Sequence, residues 1–237
     1  MNIYGRIPVI EALRSNASIK KIIISNSAKG RQISQLLRLA KEKNISIQIA
    51  PPKALNRYAS SLKHQGVVAV LSDYQYFSIP ELLKNNPQIL LLLDRIADPM
   101  NLGAILRTAE AMGIKNIMLT AKESAPITNT VVKASAGAIS HLNISQVKQV
   151  TTEVKRLKEM GFYIVGIETC GSSTFDDIDY KHPLLIVVGS EGKGIRKSLL
   201  ELCNYIVRIP LYGKVNSLNV SVATGIALYE IAKHYHF

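Results

Sequence analysis

Two periods of apolar residues alternate along the second half of the chain. Continuous apolar runs at Ile89–Leu93, between Gln88 and Asp94, and at Leu184–Val188, between Pro183 and Gly189, predict strands buried on both faces. Similar but less pure runs predict strands at Ile117–Thr120, Tyr163–Ile167 and Tyr205–Ile209. Helical spacing falls between them, at Leu102–Met112, Thr128–Ala138, Gln149–Met160 and Ile195–Leu202. A last helix spans Val220–His234, with Val222, Ala223, Ile226 and Ala227 as its expected buried stripe. Strand and helix in strict alternation predict an open α/β domain around a parallel sheet.

The front of the chain also mixes element types, in a smaller compass. A short helix is expected at Pro8–Ser15, then a strand at Ile22–Ile24 entered through Lys20 and Lys21. Ile33, Leu36, Leu37 and Ala40 are spaced i, i+3, i+4, i+7 and predict an amphipathic helix whose outer face carries Arg31, Arg38, Lys41 and Lys43. A strand at Ile45–Ile49, a helix opening at Pro51-Pro52 with Arg57 and Tyr58, and a strand at Val67–Leu71 complete a small α/β/α sandwich. Between the blocks, Ser72–Pro87 is polar and carries prolines 80 and 87, which reads as a linker with room for one short helix. The expected division is 1–73, a linker at 74–87, and 88–237.

Composition narrows the class. With 47% hydrophobic and 19% charged residues in 237, the chain can bury a proper core, so disorder is not expected. No apolar run approaches the ~18 residues of a membrane span. Arg6, Pro8 and Glu11 interrupt the N-terminus where a signal peptide needs an unbroken apolar stretch, so a cytoplasmic protein is expected. Cys170 and Cys203 lack CxxC spacing and read as reduced thiols. His64, His141, His182, His234 and His236 form no ligand-spaced cluster, so a metal enzyme is not expected. The net charge of +12 is uneven: residues 1–73 hold 12 basic against 3 acidic side chains, residues 88–237 hold 16 against 13. Such asymmetry suits either a solvated basic surface or a face for a polyanion, whose phosphates Lys and Arg neutralise.

In open parallel sheets, ligands sit beyond the carboxyl ends of the strands, and three of those ends carry chemistry. After Ile89–Leu93 come Asp98-Pro99, Asn101, Gly103 and Arg107; Asn101 suits a helix cap or a ligand contact, and Gly103 a close backbone approach. After Leu184–Val188 comes Gly189-Ser190-Glu191-Gly192-Lys193-Gly194, either a structural turn or a loop against which a ligand packs closely. It is not a P-loop, because Ile195 and Arg196 follow where Lys and Ser/Thr are required. No G-x-G-x-x-G follows the first strand of either block, so a standard dinucleotide fold lacks support. After Tyr205–Ile209 come Ser217, Leu218, Asn219 and Ser221 at the start of a helix, where small polar side chains serve as caps or as ligand contacts.

Taken together, D-P-x-N-x-G-A-x-x-R-T-A (98–109), G-S-E-G-x-G (189–194) and I-P-L…S-L-N-V-S-V-A (209–223) resemble the SpoU (TrmH) family of RNA ribose 2′-O-methyltransferases, in the family's order. The first block, opening with Tyr4-Gly5 and closing with His64-Gln65-Gly66-Val67, is similar to the L30e-like RNA-binding domain of the family's 23S rRNA guanosine branch. The resemblance implies a trefoil-knotted (SPOUT) α/β domain, a homodimer with its active site at the interface, and S-adenosylmethionine as cofactor. It implies cofactor contacts at Gly189, Ser190, Glu191, Gly192, Ile209, Leu211 and Leu218. Carried over to this chain, Arg107 acts at the ribose hydroxyl, with Asn101, Glu191, Ser217 and Asn219 as the remaining polar site positions. Arg6, Arg14, Lys20, Lys21, Arg31 and Arg38 of the first block would bind rRNA. Two alternatives lie within the family: a tRNA 2′-O-methyltransferase, whose smaller members lack a folded front block or use different extensions, and a resistance-type rRNA adenosine methyltransferase, which shares the layout. From another class, a non-catalytic RNA-binding assembly factor would also keep the fold.

Overall fold

The computed structural model describes residues 2–14, 19–58, 64–71 and 74–235. It separates into two compact units, residues 1–74 and 75–237. Ser15, Ser72, Asp73 and His236, which figured in the expected helix, linker and histidine set, lie outside the described residues.

The first unit is a four-stranded sheet in the order β1-β4-β2-β3, built from β1 (Asn2–Tyr4), β2 (Ile19–Ser25), β3 (Ser46–Ala50) and β4 (Val67–Leu71). β3 runs parallel to β2, and β4 antiparallel to both β2 and β1. Side chains alternate across a strand. Ile22, Ile24, Val67 and Ala69 therefore face α1 (Arg6–Arg14) and α2 (Arg31–Glu42), where they meet Val9, Leu13, Leu36 and Ala40. On the other face Ile23 and Val68 pack on Leu55 of the short α3 (Pro52–Leu55). Pro8 lies inside α1 rather than at its start, which is tolerated because first-turn N–H groups have no intrahelical partner. His64 is buried as a structural residue: its Nδ1 accepts from Gly66 N at 3.0 Å and its Nε2 meets Asn56 Oδ1 at 3.0 Å.

The second unit carries a six-stranded sheet in the order β10-β8-β9-β5-β6-β7, parallel throughout. The strands are β5 (Ile89–Leu93), β6 (Asn116–Thr120), β7 (Asn143–Val147), β8 (Tyr163–Ile167), β9 (Leu184–Val188) and β10 (Tyr205–Val207). The chain builds outward from β5 to β7. It then crosses to β8, inserts β9 between β8 and β5, and ends at β10, so every carboxyl end lies on one side of the sheet. The central β5 and β9 are buried at every position, as their unbroken apolar runs require. α4 (Ile79–Leu83) precedes the sheet, α5 (Pro99–Ala111), α6 (Asn129–Ala134), α7 (Val150–Glu159) and α8 (Lys197–Leu200) run between its strands, and α9 (Val220–Ala232) follows the last. Among the described residues no helix is long and apolar enough to cross a membrane.

Several elements depart from the sequence expectations. The stretch read as a linker packs into the second unit: Ser78 and Glu81 form a capping box for α4, Leu82 is buried, and Phe77 bridges to Ser145. The helix expected over Thr128–Ala138 stops at Ala134, because the backbone turns left-handed at Ala136 and Gly137 before a 3₁₀ turn over Ala138–His141. The strand expected at Tyr205–Ile209 ends at Val207. The buried stripe of α9 is Val220, Thr224, Ala227, Leu228 and Ile231; Val222 is 51% exposed. Apolar residues surround α9, so spacing alone offered more than one stripe, and the face bearing Val222 and Tyr229 is left to solvent. Gly103 does permit a close approach, to α6: a Cβ there would overlap the Ala134 side chain.

Candidate active site

The glycine loop after β9 is closed on itself. Ser190 N donates to Gly194 O at 3.2 Å and Gly194 N to Ser190 O at 2.9 Å. A Cβ at Gly189 would collide with the Gly194 backbone, and Gly194 itself has φ +61°. Glycine is needed at both positions, once for contact and once for conformation.

Two acidic residues fasten this loop to neighbouring strand ends. Asp94, the first residue after β5, is fully buried. Its Oδ1 accepts from Arg196 Nε at 2.8 Å and Nη2 at 2.5 Å, and its Oδ2 from Arg196 N at 3.0 Å. Arg95 Nε lies 3.4 Å from Asp94 Oδ2, and its Nη2 donates to Gly194 O at 3.1 Å. Arg95 holds a left-handed φ of +61°, and its backbone N–H donates to Thr120 Oγ1 at 2.9 Å. From β8, Glu168 Oε1 accepts from the backbone N–H of Ile195, and its carboxylate occupies the space a Gly194 side chain would need.

These contacts shape a cavity of about 250 Å³ at the carboxyl ends of β8, β9 and β10. Ile167, Val188, Ile209, Leu211, Leu218, Val220 and Ala223 give it apolar walls, with Glu168, Thr169, Ser190, Glu191 and Ser217 as polar members. All seven residues expected at a cofactor, Gly189, Ser190, Glu191, Gly192, Ile209, Leu211 and Leu218, line it together. Glu168 and Thr169 were not singled out from the sequence. They follow a predicted strand whose end carries Gly171 but none of the three motifs.

A chain of amide hydrogen bonds ties the three motifs at the rim. Asn219 Nδ2 donates to Asn101 Oδ1 at 3.1 Å, and Asn101 Nδ2 donates to Glu191 Oε2 at 3.2 Å. Asn219 Oδ1 accepts from Ser221 N at 2.9 Å, capping α9 and fixing which way its amide points. Asp98, not Asn101, caps α5, accepting from Asn101 N at 2.7 Å; this frees the Asn101 side chain for the rim. Arg107 is exposed, does not line the cavity, and has no ion pair or side-chain hydrogen bond among the described residues. Six residues advance a helix by about 9 Å and turn it about 240°, so Arg107 and Asn101 do not share a face of α5.

In the first unit, the six basic candidates do not form one patch. Arg6 is pinned by Nε to Gln65 O at 3.1 Å and by Nη1 to Lys29 O at 3.2 Å, beside an open hollow lined by Ser27, Gln32 and Gln65. Arg31 and Arg38 are exposed on α2, with Arg38 Nε 3.6 Å from Glu42, while Arg14 and Lys20 are exposed near the end of α1 and the start of β2. Lys21 belongs to the opposite face of the sheet, with Nζ donating to Gln48 Oε1 at 3.0 Å and lying 5.7 Å from the centre of the Tyr58 ring. Cys170 and Cys203 are both free, and burial pushes the Cys203 thiol up to about 11, away from thiolate chemistry. Among the described residues no group of His, Cys, Asp and Glu is arranged to hold a metal ion.

Comparison with known proteins covers both units. Residues 88–229 match the SpoU rRNA methylase family, and residues 2–77 match the substrate-binding domain of RNA 2′-O ribose methyltransferases. A Bacillus subtilis protein, whose name places it among TrmH family tRNA/rRNA methyltransferases, is 38% identical over 97% of this chain and 94% of its own. A Staphylococcus aureus protein named for the same family is 36% identical over 99% and 96%. The crystal structure of an AdoMet-bound rRNA methyltransferase from Sinorhizobium meliloti superposes with a TM-score of 0.70 at 26% identity, over 100% of this chain and 88% of that one.

Proposed function

Because the chain belongs to the SpoU rRNA methylase family, we propose that it transfers the methyl group of S-adenosylmethionine to a ribose 2′-hydroxyl of RNA, with a guanosine of 23S rRNA as the acceptor. One observation carries the reading: the residues expected to contact the cofactor come from three separate stretches of sequence and line one cavity. The cavity suits the group. Seven apolar residues wall it, Gly189, Gly192 and Gly194 line it without side chains, and its ionisable members, Glu168 and Glu191, are acidic, as a cationic ligand requires. Gly189, Ser190, Glu191, Gly192, Ile209, Leu211 and Leu218 would hold the cofactor, which supplies an activated methyl on a sulfonium.

The protein's part is positioning and charge. The Asn219–Asn101–Glu191 chain sets the rim beside which the ribose would lie, and Ser217 extends it. Holding methyl and acceptor oxygen in line supplies much of the acceleration. Arg107 would stabilise the negative charge growing on the 2′-oxygen through its guanidinium donors, and the proton leaves to a phosphate or to water. Arg107 does not line the cavity within one chain, and Val222 and Tyr229, seven residues apart on α9, form an exposed face of that helix. A homodimer that buries this face would set Arg107 at a site shared between copies. The knotted path expected for the family belongs to the same proposal, as do the cytoplasmic setting and the assignment of residues 1–73 to RNA binding through Arg6, Arg14, Lys20, Lys21, Arg31 and Arg38. The choice of rRNA over tRNA rests on the substrate-binding match of the first unit and on the rRNA methyltransferase among the structural neighbours.

The test is acceptor competition. Full-length protein and labelled cofactor are given undermodified 23S rRNA and tRNA in one reaction. Label is expected in the rRNA; incorporation into tRNA alone would overturn the substrate assignment while leaving the chemistry standing.

A further inference from the structure

We propose that Glu168 gives the cavity its preference for the positively charged methyl donor over the uncharged thioether left after transfer. This rests on the reading that the cavity takes S-adenosylmethionine. Among the described residues lining the cavity, the ionisable side chains are Glu168 and Glu191, and no cation lines it. The cations nearby are engaged elsewhere: Arg196 with Asp94, Arg95 with the Gly194 carbonyl, and Lys193 with Glu123 at 3.7 Å. Glu191 is exposed and shares its charge with the Asn101 amide, so water screens it. Glu168 is half-buried between the apolar ends of β8 and β9, and one of its oxygens is held by Ile195 N–H. It is thus a fixed carboxylate in surroundings where charge is poorly screened.

The reaction removes the charge this carboxylate faces. Donor and product share the same adenosine, carboxylate and ammonium groups, and differ in the methyl and its sulfonium charge. The attraction of Glu168 for that charge therefore enters the ratio of the two affinities and cancels from the rest. Binding the donor more tightly and releasing the product more readily follow from one residue. Glu168 also fastens the glycine loop, and the two roles separate by substitution: Glu168→Gln keeps an oxygen for Ile195 N–H and loses the charge, whereas Glu168→Ala loses both.

Titration calorimetry of the full chain with S-adenosylmethionine and with S-adenosylhomocysteine reads this directly. In Glu168→Gln, donor affinity is expected to fall about ten-fold while product affinity stays within about two-fold. In Glu168→Ala both fall. Equal weakening of both ligands by Glu168→Gln, or no change in either, would overturn the proposal. If the Gln chain does not fold, Glu168→Asp, which keeps the charge but draws it back by one methylene, gives a second readout: donor affinity should fall more than product affinity, and equal losses would overturn the proposal. Failure of the unaltered chain to bind either ligand would overturn the cavity's assignment, and this inference with it.

Discussion

Replacing Asp94 by Ala should cost far more than a surface ion pair is worth. The carboxylate is fully buried and accepts three hydrogen bonds from Arg196, at 2.8, 2.5 and 3.0 Å, with Arg95 Nε 3.4 Å away. Removing it leaves two guanidinium groups, 28% and 16% exposed, without their counter-charge. Breaking one side of such a buried pair costs about 3–5 kcal/mol. In a unit of this size each kcal/mol lowers the midpoint by about 2–4 °C, so a fall of roughly 10 °C is expected for the second unit. Thermal and urea unfolding followed by circular dichroism would measure it. The double variant Asp94→Leu/Arg196→Met, which removes charge from both sides, should recover part of the loss. A drop below about 1 kcal/mol for the single variant, or a double variant no more stable than the single, would refute the reasoning.

Arg107→Ala should lower turnover by orders of magnitude while cofactor affinity, measured by calorimetry, stays near that of the unaltered chain, since Arg107 does not line the cavity. A parallel loss of binding would contradict that separation. Removal of residues 1–74 should leave the second unit folded around its own core and able to bind cofactor, while filter binding shows RNA affinity and its steep salt dependence lost. Burial raises the hydroxyl pKa of Tyr235 to about 12, and that of Tyr180 is raised as well, chiefly by burial. The neutral hydroxyls are favoured in the folded state, so their contribution is intact below pH 10 and is lost as pH rises through about 12. Urea midpoints between pH 9 and 11.5 should therefore fall, and less so in Tyr235→Phe; identical slopes would remove the cause.

Much of the second unit is legible in the sequence because its central strands are covered on both faces and must be apolar throughout. β7, at the sheet edge, reads Asn-Ile-Ser-Gln-Val and shows no such run, so it passes unnoticed, as does the three-residue β1. The helices are located more reliably than their faces. α9 is apolar on every side, and only packing against α5 decides that Val222 points to solvent. At the site, the glycine loop and the Asn101 and Asn219 positions stand out because unusual residues sit at unusual spacings. Glu168 and Asp94 do not, since one carboxylate after a strand looks like any exposed turn residue. Their roles depend on Ile195 N–H and Arg196, 27 and 102 residues away, and on the strand order that brings those groups together. Arg107 shows the opposite failure: its motif is conspicuous, yet helix geometry turns it away from the Asn101 rim.

The claim that a cavity at the ends of β8, β9 and β10 delivers a methyl group to an RNA ribose is tested most directly by mass spectrometry of digested rRNA after incubation with protein and cofactor. The unaltered chain should yield a nucleoside heavier by one methyl on its ribose. Gly194→Ala, whose new Cβ would enter the Glu168 carboxylate and distort the cavity, should yield none. Methylation on a base, or undiminished ribose methylation by the Gly194→Ala protein, would contradict the account.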